Sequence, residues 1–417
     1  MGWWLPRATL LGVADFSQTG GVPTLHDLLH RSVSDLEWNL RKWAAKRPIT
    51  LIIPCLASEI SSDAFDTMLG ELASADWLTR IVVGLDQADE ADFRNALRRL
   101  EALPQQGDVV WNDSDAVLRI EEGLAAQGLA PRSRGKGRNV WYCLGAVLAR
   151  GTEPVIAMHD ADIVGYSREL LARLVYPVAH PGFGYCFAKG YYHRVTEGRF
   201  SGRVTRLLVA PLVRALRAEA GEHSYLRFLE GFRYPLAGET AMESWLAASL
   251  RIPGHWGMDI GILSDVYARC ESSAICQVSV ANAYDHKHQD LSEHDATAGL
   301  RRMSIDVSAT IIRRLGLESL DGASGLCDAY LAAARDLIRH YANDAEINGY
   351  VVDRAAEEAT AEVFARSLAD AVEVCRAHPG EDELNPSWRQ VLEHAPEVAP
   401  MLLEALEPGA VLARSAF

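Results

Sequence analysis

ITLIIPCL (49–56) is an apolar run of strand length with no polar alternation, and RIVVGL (80–85) and DVVWN (108–112) repeat the pattern further along the chain. The stretches 62–75 and 89–103 between them space their apolar residues by threes and fours, the period of an amphipathic helix. Strands that are apolar throughout are buried on both faces, and the helices between them supply the cover. The alternation therefore predicts a parallel, doubly wound α/β sheet. A helix ending in the loop 128–137, a helix over 139–150 and the run PVIAMHDAD (154–162), an apolar strand ending in acids, continue the pattern.

Upstream, Leu25, Leu28, Leu29, Val33, Leu36, Leu40 and Trp43 recur at helical spacing, which predicts a leader helix over 24–46, stopped by Pro48 and packed on the domain. Downstream, GYCFAKGYYHR (184–194) reads as a strand with interleaved aromatics, and SGRVTRLLVAPLVRALRAE (201–219) as a loop feeding a helix. From about 304 onward, long Ala-, Leu- and Glu-rich runs predict a helical extension. These apolar-striped helices suit two uses, completing a site and forming a homodimer, or packing solely on their own domain.

The chain has 417 residues, 49% hydrophobic and 23% charged, enough to bury one large core or two. Its 41 basic and 56 acidic residues give a net charge of −15, which excludes a general nucleic-acid binder and requires a local basic pocket for any anionic ligand. Seven cysteines (Cys55, Cys143, Cys186, Cys270, Cys276, Cys327 and Cys375) are dispersed, odd in number and without a CxxC pair. That usage points to reduced thiols and the cytoplasm. Pro6, Arg7 and Asp15 interrupt the apolar opening, and no window is long enough to span a bilayer, so neither a signal segment nor a membrane span is expected.

Three constellations carry chemistry. In His159-Asp160-Ala161-Asp162 a turn at the strand end would let two carboxylates converge, a donor set suited to Mg²⁺ or Mn²⁺ holding a diphosphate. A second D-x-D, Asp113-Ser114-Asp115, reads as the cap of the helix that follows it. In Arg134-Gly135-Lys136-Gly137-Arg138 the glycines free the backbone to approach an anion and Lys136 supplies a mobile charge, without the spacing of a Walker A loop. Asp285-His286-Lys287-His288 places two imidazoles two residues apart, one able to ligate a metal and one to donate a hydrogen bond.

In order, IIPCLASE, GKG, HDAD, FAKGYYHR, GRVTRLLVAPL, GET, GMDIGILSD and DHKHQDL resemble the retaining glycosyltransferases that make glucosyl-3-phosphoglycerate or mannosyl-3-phosphoglycerate. The resemblance runs from about 48 to 291 and more loosely into the C-terminal helices. It implies a GT-A nucleotide-sugar-binding α/β domain over 48–300, with a donor part to about 165 and an acceptor part from about 166. A helical leader (1–47) precedes it and a helical extension (301–417) follows. It further implies a UDP-glucose or GDP-sugar donor, a divalent Mg²⁺ or Mn²⁺, 3-phosphoglycerate as acceptor, and a place in compatible-solute or polysaccharide-precursor synthesis.

Carried over residue by residue, the resemblance puts Pro54, Leu56 and Glu59 at the nucleoside edge, with Ala57 and Ser58 replacing the family's usual Asn-Glu. Lys136 falls on the donor phosphates, Asp160 and Asp162 on the D-x-D, and His286 on the third metal position. Gly202, Arg203 and Thr205 match the acceptor-phosphate motif, with Lys189 and His288 assigned beside it and Arg194 and Arg206 near. Asp259 stands where the family has a glutamate by the sugar hydroxyls, and Glu239 matches a nearby acid; with Lys136 these are the candidate catalytic groups. A mannosyl enzyme, transfer to free glycerate, an inverting transferase, a nucleotidyltransferase and a non-catalytic nucleotide-sugar sensor are the competing readings. A nucleotidyltransferase would need a glycine-rich loop directly after the first strand, where this chain has PCLASE (54–59).

Overall fold

The computed structural model describes residues 21–28, 31–196, 198–286, 299–317, 323–379 and 383–407. Among these, ten strands form one sheet: β1 (Thr24–Leu25), β2 (Ile49–Leu56), β3 (Arg80–Asp86), β4 (Gln106–Trp111), β5 (Val155–Met158), β6 (Ile163–Val164), β7 (Phe187–Thr196), β8 (Arg199–Phe200), β9 (Thr240–Glu243) and β10 (Ile275–His286). The order is β1-β10-β7-β9-β5-β2-β3-β4, with β6 paired to β10 and β8 to β7. From β5 to β4 all pairings are parallel, as the apolar runs predict. β9 is antiparallel to both β5 and β7, so the sheet is mixed rather than wholly parallel. The strand Thr240–Glu243, four residues long, is too short to announce itself by pattern.

The double burial of the central strands is visible in β2, whose Leu51, Ile53 and Cys55 enter one core while Ile52 enters the other. Helices Val33–Ala44, Asp63–Leu72, Glu90–Glu101 and Arg168–Ala179 cover the first face. Helices Lys136–Arg150, Ala210–Ala220, Met258–Arg269 and the C-terminal helices Gly299–Leu315, Ser324–Ile347 and Arg354–Ala377 cover the second. The last described segment returns to this face. Trp388 donates to the Trp141 carbonyl at 2.6 Å, Trp141 donates to the Pro386 carbonyl at 2.7 Å, and the two rings lie 4.2 Å apart.

Two local expectations are corrected. The leader helix begins at Val33, capped by Ser32, whose hydroxyl accepts from the Asp35 N–H; Thr24–Leu25 instead pair in parallel with β10 at the sheet edge. The helix expected from 139 starts at Lys136, because Gly135, at φ 140°, ends the preceding loop one turn earlier. The decoy D-x-D serves as a cap as expected: Ser114 accepts from the Val117 N–H, while Asp113 accepts from the Ala88 N–H.

Candidate active site

A cavity of about 780 Å³ opens at the carboxyl ends of β2, β3 and β5, where open α/β sheets bind ligands. β2 delivers Pro54 and Leu56 to its wall, and the short turn after it delivers Glu59, whose carboxylate accepts from the Leu56 N–H at 2.9 Å. β5 stops at Met158, and the turn that follows brings both Asp160 and Asp162 to the lining. His159, just before them, is wholly buried, 5.6 Å from the Tyr166 ring, and burial pushes its imidazole down to about 3. It is neutral packing, not a ligand.

Lys136 is the electrostatic centre. Its Nζ lies 2.6 Å from Asp160 Oδ1 and 3.9 Å from Asp259 Oδ2. Desolvation works against its charge, but Asp160, and then Asp259, hold it above the usual lysine range. Asp259 reaches the site from the first turn of helix Met258–Arg269, and its other oxygen is 4.0 Å from Lys189 Nζ. Lys189, on β7, is wholly buried beneath the floor, where desolvation pushes its ammonium down and Asp259 pulls it back. Glu239 is also wholly buried and holds a hydrogen bond with Tyr192, which itself faces the cavity.

Two glycines make this geometry possible. A Cβ on Gly137 would sit 1.9 Å from the Pro253 carbonyl oxygen, so the Gly-Lys-Gly turn can lie against 253–254 only without side chains. A Cβ on Gly238 would sit 2.5 Å from Asp160 Oδ2, so the glycine of the GET segment lets the acidic turn close onto β9.

The same cavity is also lined by Arg194, Gly202, Arg203 and Thr205. The stretch after Gly202 is a wide π-type turn, Val204–Val209, that runs into helix Ala210–Ala220. Such turns recur at functional sites. Thr205 Oγ1 is buried and has no hydrogen-bond partner among the described residues, which suits a hydroxyl able to donate to an anionic oxygen. Arg206 faces inward rather than to solvent: it pairs with Glu357 at 2.6 Å and donates to the Ser201 carbonyl at 2.8 Å.

Whether a divalent cation fits can be judged from charge. Lys136 neutralises part of the charge of Asp160 and Asp259, and Asp162 lines the same cavity, so the acidic turn leaves carboxylate oxygens that a divalent cation could take. Among the described residues no three His, Cys, Asp or Glu side chains form a complete metal cluster. The third candidate, His286, is described only in its backbone, whose register sets it opposite Ile163, the residue after Asp162. His288 lies outside the described residues. The donor set that is present, hard carboxylates at a strand end, suits Mg²⁺ or Mn²⁺.

No family model matches the chain. It is 37% identical over 399 residues to a glucosyl-3-phosphoglycerate synthase of Persephonella marina, covering 95% of this chain and 98% of that protein. This protein belongs to the glucosyl-3-phosphoglycerate synthase family. A second synthase of the family, from Methanococcoides burtonii, is 34% identical across 92% of this chain and 95% of its own. A crystal structure of the Mycobacterium tuberculosis synthase with phosphoglyceric acid superposes at a TM-score of 0.52, with 24% identity, over 71% of this chain and 88% of that one. Another, with Mn²⁺, uridine diphosphate and glucosyl-3-phosphoglycerate, gives 0.51 at 25% identity over 70% and 88%. This α/β fold with a helical C-terminal region is thus the GT-A fold of those synthases, and the chain is a hexosyltransferase.

Parts of the synthase cavity were not picked out from the sequence. Asp86, the last residue of β3, and Gln87 after it line the cavity, and Gln87, at φ 55°, is the one non-glycine residue with a left-handed backbone among those described. The signal was available: an acid at the end of a predicted parallel strand is a ligand position. Tyr234 and Trp256 also face the cavity, as do Val352, Asp353, Glu357 and Thr360 of the helical extension. Nothing in their local sequence marks them, because loops and a helix distant in sequence supply them.

Proposed function

We propose that this protein transfers glucose from UDP-glucose to the 2-hydroxyl of 3-phosphoglycerate with retention of configuration. The observation that carries the proposal is one cavity lined by two sets of polar groups. Lys136, Asp160 and Asp162 line it together with Arg203 and Thr205, whose buried hydroxyl has no hydrogen-bond partner among the described residues. Such a space accommodates an activated sugar diphosphate and a small phosphorylated acceptor side by side. In the related Mycobacterium tuberculosis enzyme, crystal structures hold Mn²⁺ with UDP-glucose and phosphoglyceric acid together, and Mg²⁺ with UDP.

Pro54, Leu56 and Glu59 take the nucleoside edge, and Lys136 meets the diphosphate. Asp162 would hold the divalent cation, with Asp160 and His286 as its other candidate ligands; once bound, the ion neutralises charge on the departing diphosphate. Lys136 arrives already charged, so its ammonium stabilises the leaving group without a proton transfer. Asp259, held between Lys136 and Lys189, orients sugar hydroxyls. Glu239 has no face on the cavity and holds Tyr192, a positioning role that Lys189 shares through Asp259.

With Glu239 buried and Asp259 engaged by lysines, neither carboxylate is placed as a nucleophile. A front-face route, in which a donor phosphate oxygen takes the proton of the attacking hydroxyl, follows. Gly202, Arg203 and Thr205 seat the acceptor phosphate. No described helix is long and apolar enough to cross a membrane. The unbridged cysteines support a cytosolic setting.

The test offers UDP-glucose, GDP-glucose and GDP-mannose with 3-phosphoglycerate or glycerate and Mg²⁺, and reads product mass and anomeric linkage. An α-linked glucosyl product from UDP-glucose and 3-phosphoglycerate is expected. Arg203→Ala should weaken acceptor use and spare UDP-glucose binding, and equal loss of both would overturn the acceptor assignment. A trapped glycosyl ester on Asp259 or Glu239 would replace the front-face route with double displacement.

A further inference from the structure

Cys186 and Cys270 take no part in the chemistry above, yet they meet across two elements with their sulfur atoms 3.3 Å apart. Cys186, just before β7, is fixed on both sides: its N–H donates to the Ala274 carbonyl at 2.9 Å and its carbonyl accepts from the Glu243 N–H at 3.0 Å. Cys270 closes helix Met258–Arg269, its N–H donating to the Val266 carbonyl at 2.9 Å. Both thiols line a second cavity, of about 370 Å³, with Arg47, His180, Trp245 and Arg269 on its walls. A small thiol reagent can therefore reach the pair without passing the active site.

The pair also differs from the other thiols. Burial pushes up Cys55, Cys143, Cys276 and Cys327 and leaves them poor nucleophiles. Cys270 moves the other way. The hydrogen bond from Cys186 favours its thiolate, as does the neighbouring Arg269, and together they outweigh desolvation. Cys186, the donor of that bond, is raised. One partner is thus an attacking group and the other a resolving thiol held in contact with it.

We propose that Cys186 and Cys270 form a reversible intramolecular disulfide with a low-molecular-weight disulfide as oxidant. The Cys270 thiolate attacks one sulfur of the oxidant, making a mixed disulfide and expelling one thiolate. Cys186 then gives its proton to that thiolate and attacks the Cys270 sulfur, which breaks the mixed disulfide and expels the second. Two protein thiols lose two electrons in all, and one oxidant disulfide gains them, leaving as two thiols. The new bond would tie the far end of the helix that carries Asp259 to the strand that carries Lys189.

The test incubates the full chain with oxidised glutathione, alkylates the remaining thiols and maps the cysteines by mass spectrometry. Free thiols should fall from seven to five with a single bridged peptide pair, Cys186 to Cys270. The unfolding temperature should rise by a few degrees and return on reduction. Cys186→Ser should retain one glutathione on Cys270, and Cys270→Ser should take none. Seven alkylated cysteines after oxidation, a bridge between other residues, or equal adducts on both variants would overturn the proposal. The wild-type map decides it even if either variant fails to fold.

Discussion

Replacing Arg206 by methionine should separate the two substrates of this enzyme. Besides pairing with Glu357 at 2.6 Å, the guanidinium donates to the carbonyls of Ser201 at 2.8 Å and Phe200 at 3.4 Å, and lies 4.9 Å from the Tyr341 ring. It therefore ties the chain that leads into Gly202 and Arg203 to two helices of the C-terminal extension. The side chains of Arg206 and Glu357 are 11% and 12% exposed, so the pair is nearly buried.

Breaking a buried pair costs about 3–5 kcal/mol, and the remaining exposure puts this one at the lower end, about 3 kcal/mol of stability. If only about 1.4 kcal/mol of that falls on acceptor binding, KM for 3-phosphoglycerate rises about tenfold. The sign is reinforced because the abandoned Glu357 carboxylate faces an anionic acceptor. The assay is initial-rate UDP release with each substrate varied in turn, alongside an unfolding curve. KM for UDP-glucose should change by less than about twofold, and adding Glu357→Gln should recover part of the acceptor loss, as expected when an unpaired charge is removed. A parallel rise in both KM values would refute the reasoning, as would an unchanged acceptor KM.

Gly238→Ala should push a methyl group to within 2.5 Å of an Asp160 oxygen and displace the acidic turn. Overpacking of this kind costs about 1–3 kcal/mol, so Mn²⁺ affinity measured by calorimetry in the presence of UDP should fall about tenfold with the circular dichroism unchanged. Wild-type affinity would contradict the placement. Glu383, which ties the last segment to the body through His255 and Arg313, is held below its ordinary value of 4.5, first by the His255 hydrogen bond and then, against desolvation, by Arg313. A carboxylate lowered on folding contributes stability that is present above that ordinary value and lost as the pH falls below it. Glu383→Gln should accordingly lower the urea midpoint at pH 7 and flatten its fall on acidification below pH 4.5, and an unflattened curve would contradict this account.

How far each part was legible depends on how local its cause is. The parallel block from β5 to β4 could be read directly, because a strand buried on both faces must be apolar throughout. Asp160, Asp162 and Lys136 could be read because a turn at a strand end and a glycine-flanked lysine are local patterns. Arg203 and Thr205 could be read from the GRVT segment and its family resemblance. The leader helix was drawn too long, since apolar spacing alone does not distinguish Thr24–Leu25, which pair with β10, from the helix that Ser32 caps.

Assignments of role proved harder than assignments of place. Lys189 reads as one more cation for the acceptor, but it lies wholly buried, 4.0 Å from Asp259. Arg206 has no sequence signal to say whether it faces solvent or a partner, and that partner, Glu357, is 151 residues away. The linear chain by itself determined the α/β core, the acidic turn, the basic loop and the family, because each is written in residues that touch their neighbours in sequence. Only the tertiary structure decided which charges neutralise one another, that the helical extension lines the same cavity as Arg203 and Thr205, and that Cys186 meets Cys270. Those are long-range contacts, set by how helices close over a sheet, and no local pattern encodes which side chain will be waiting on the other side.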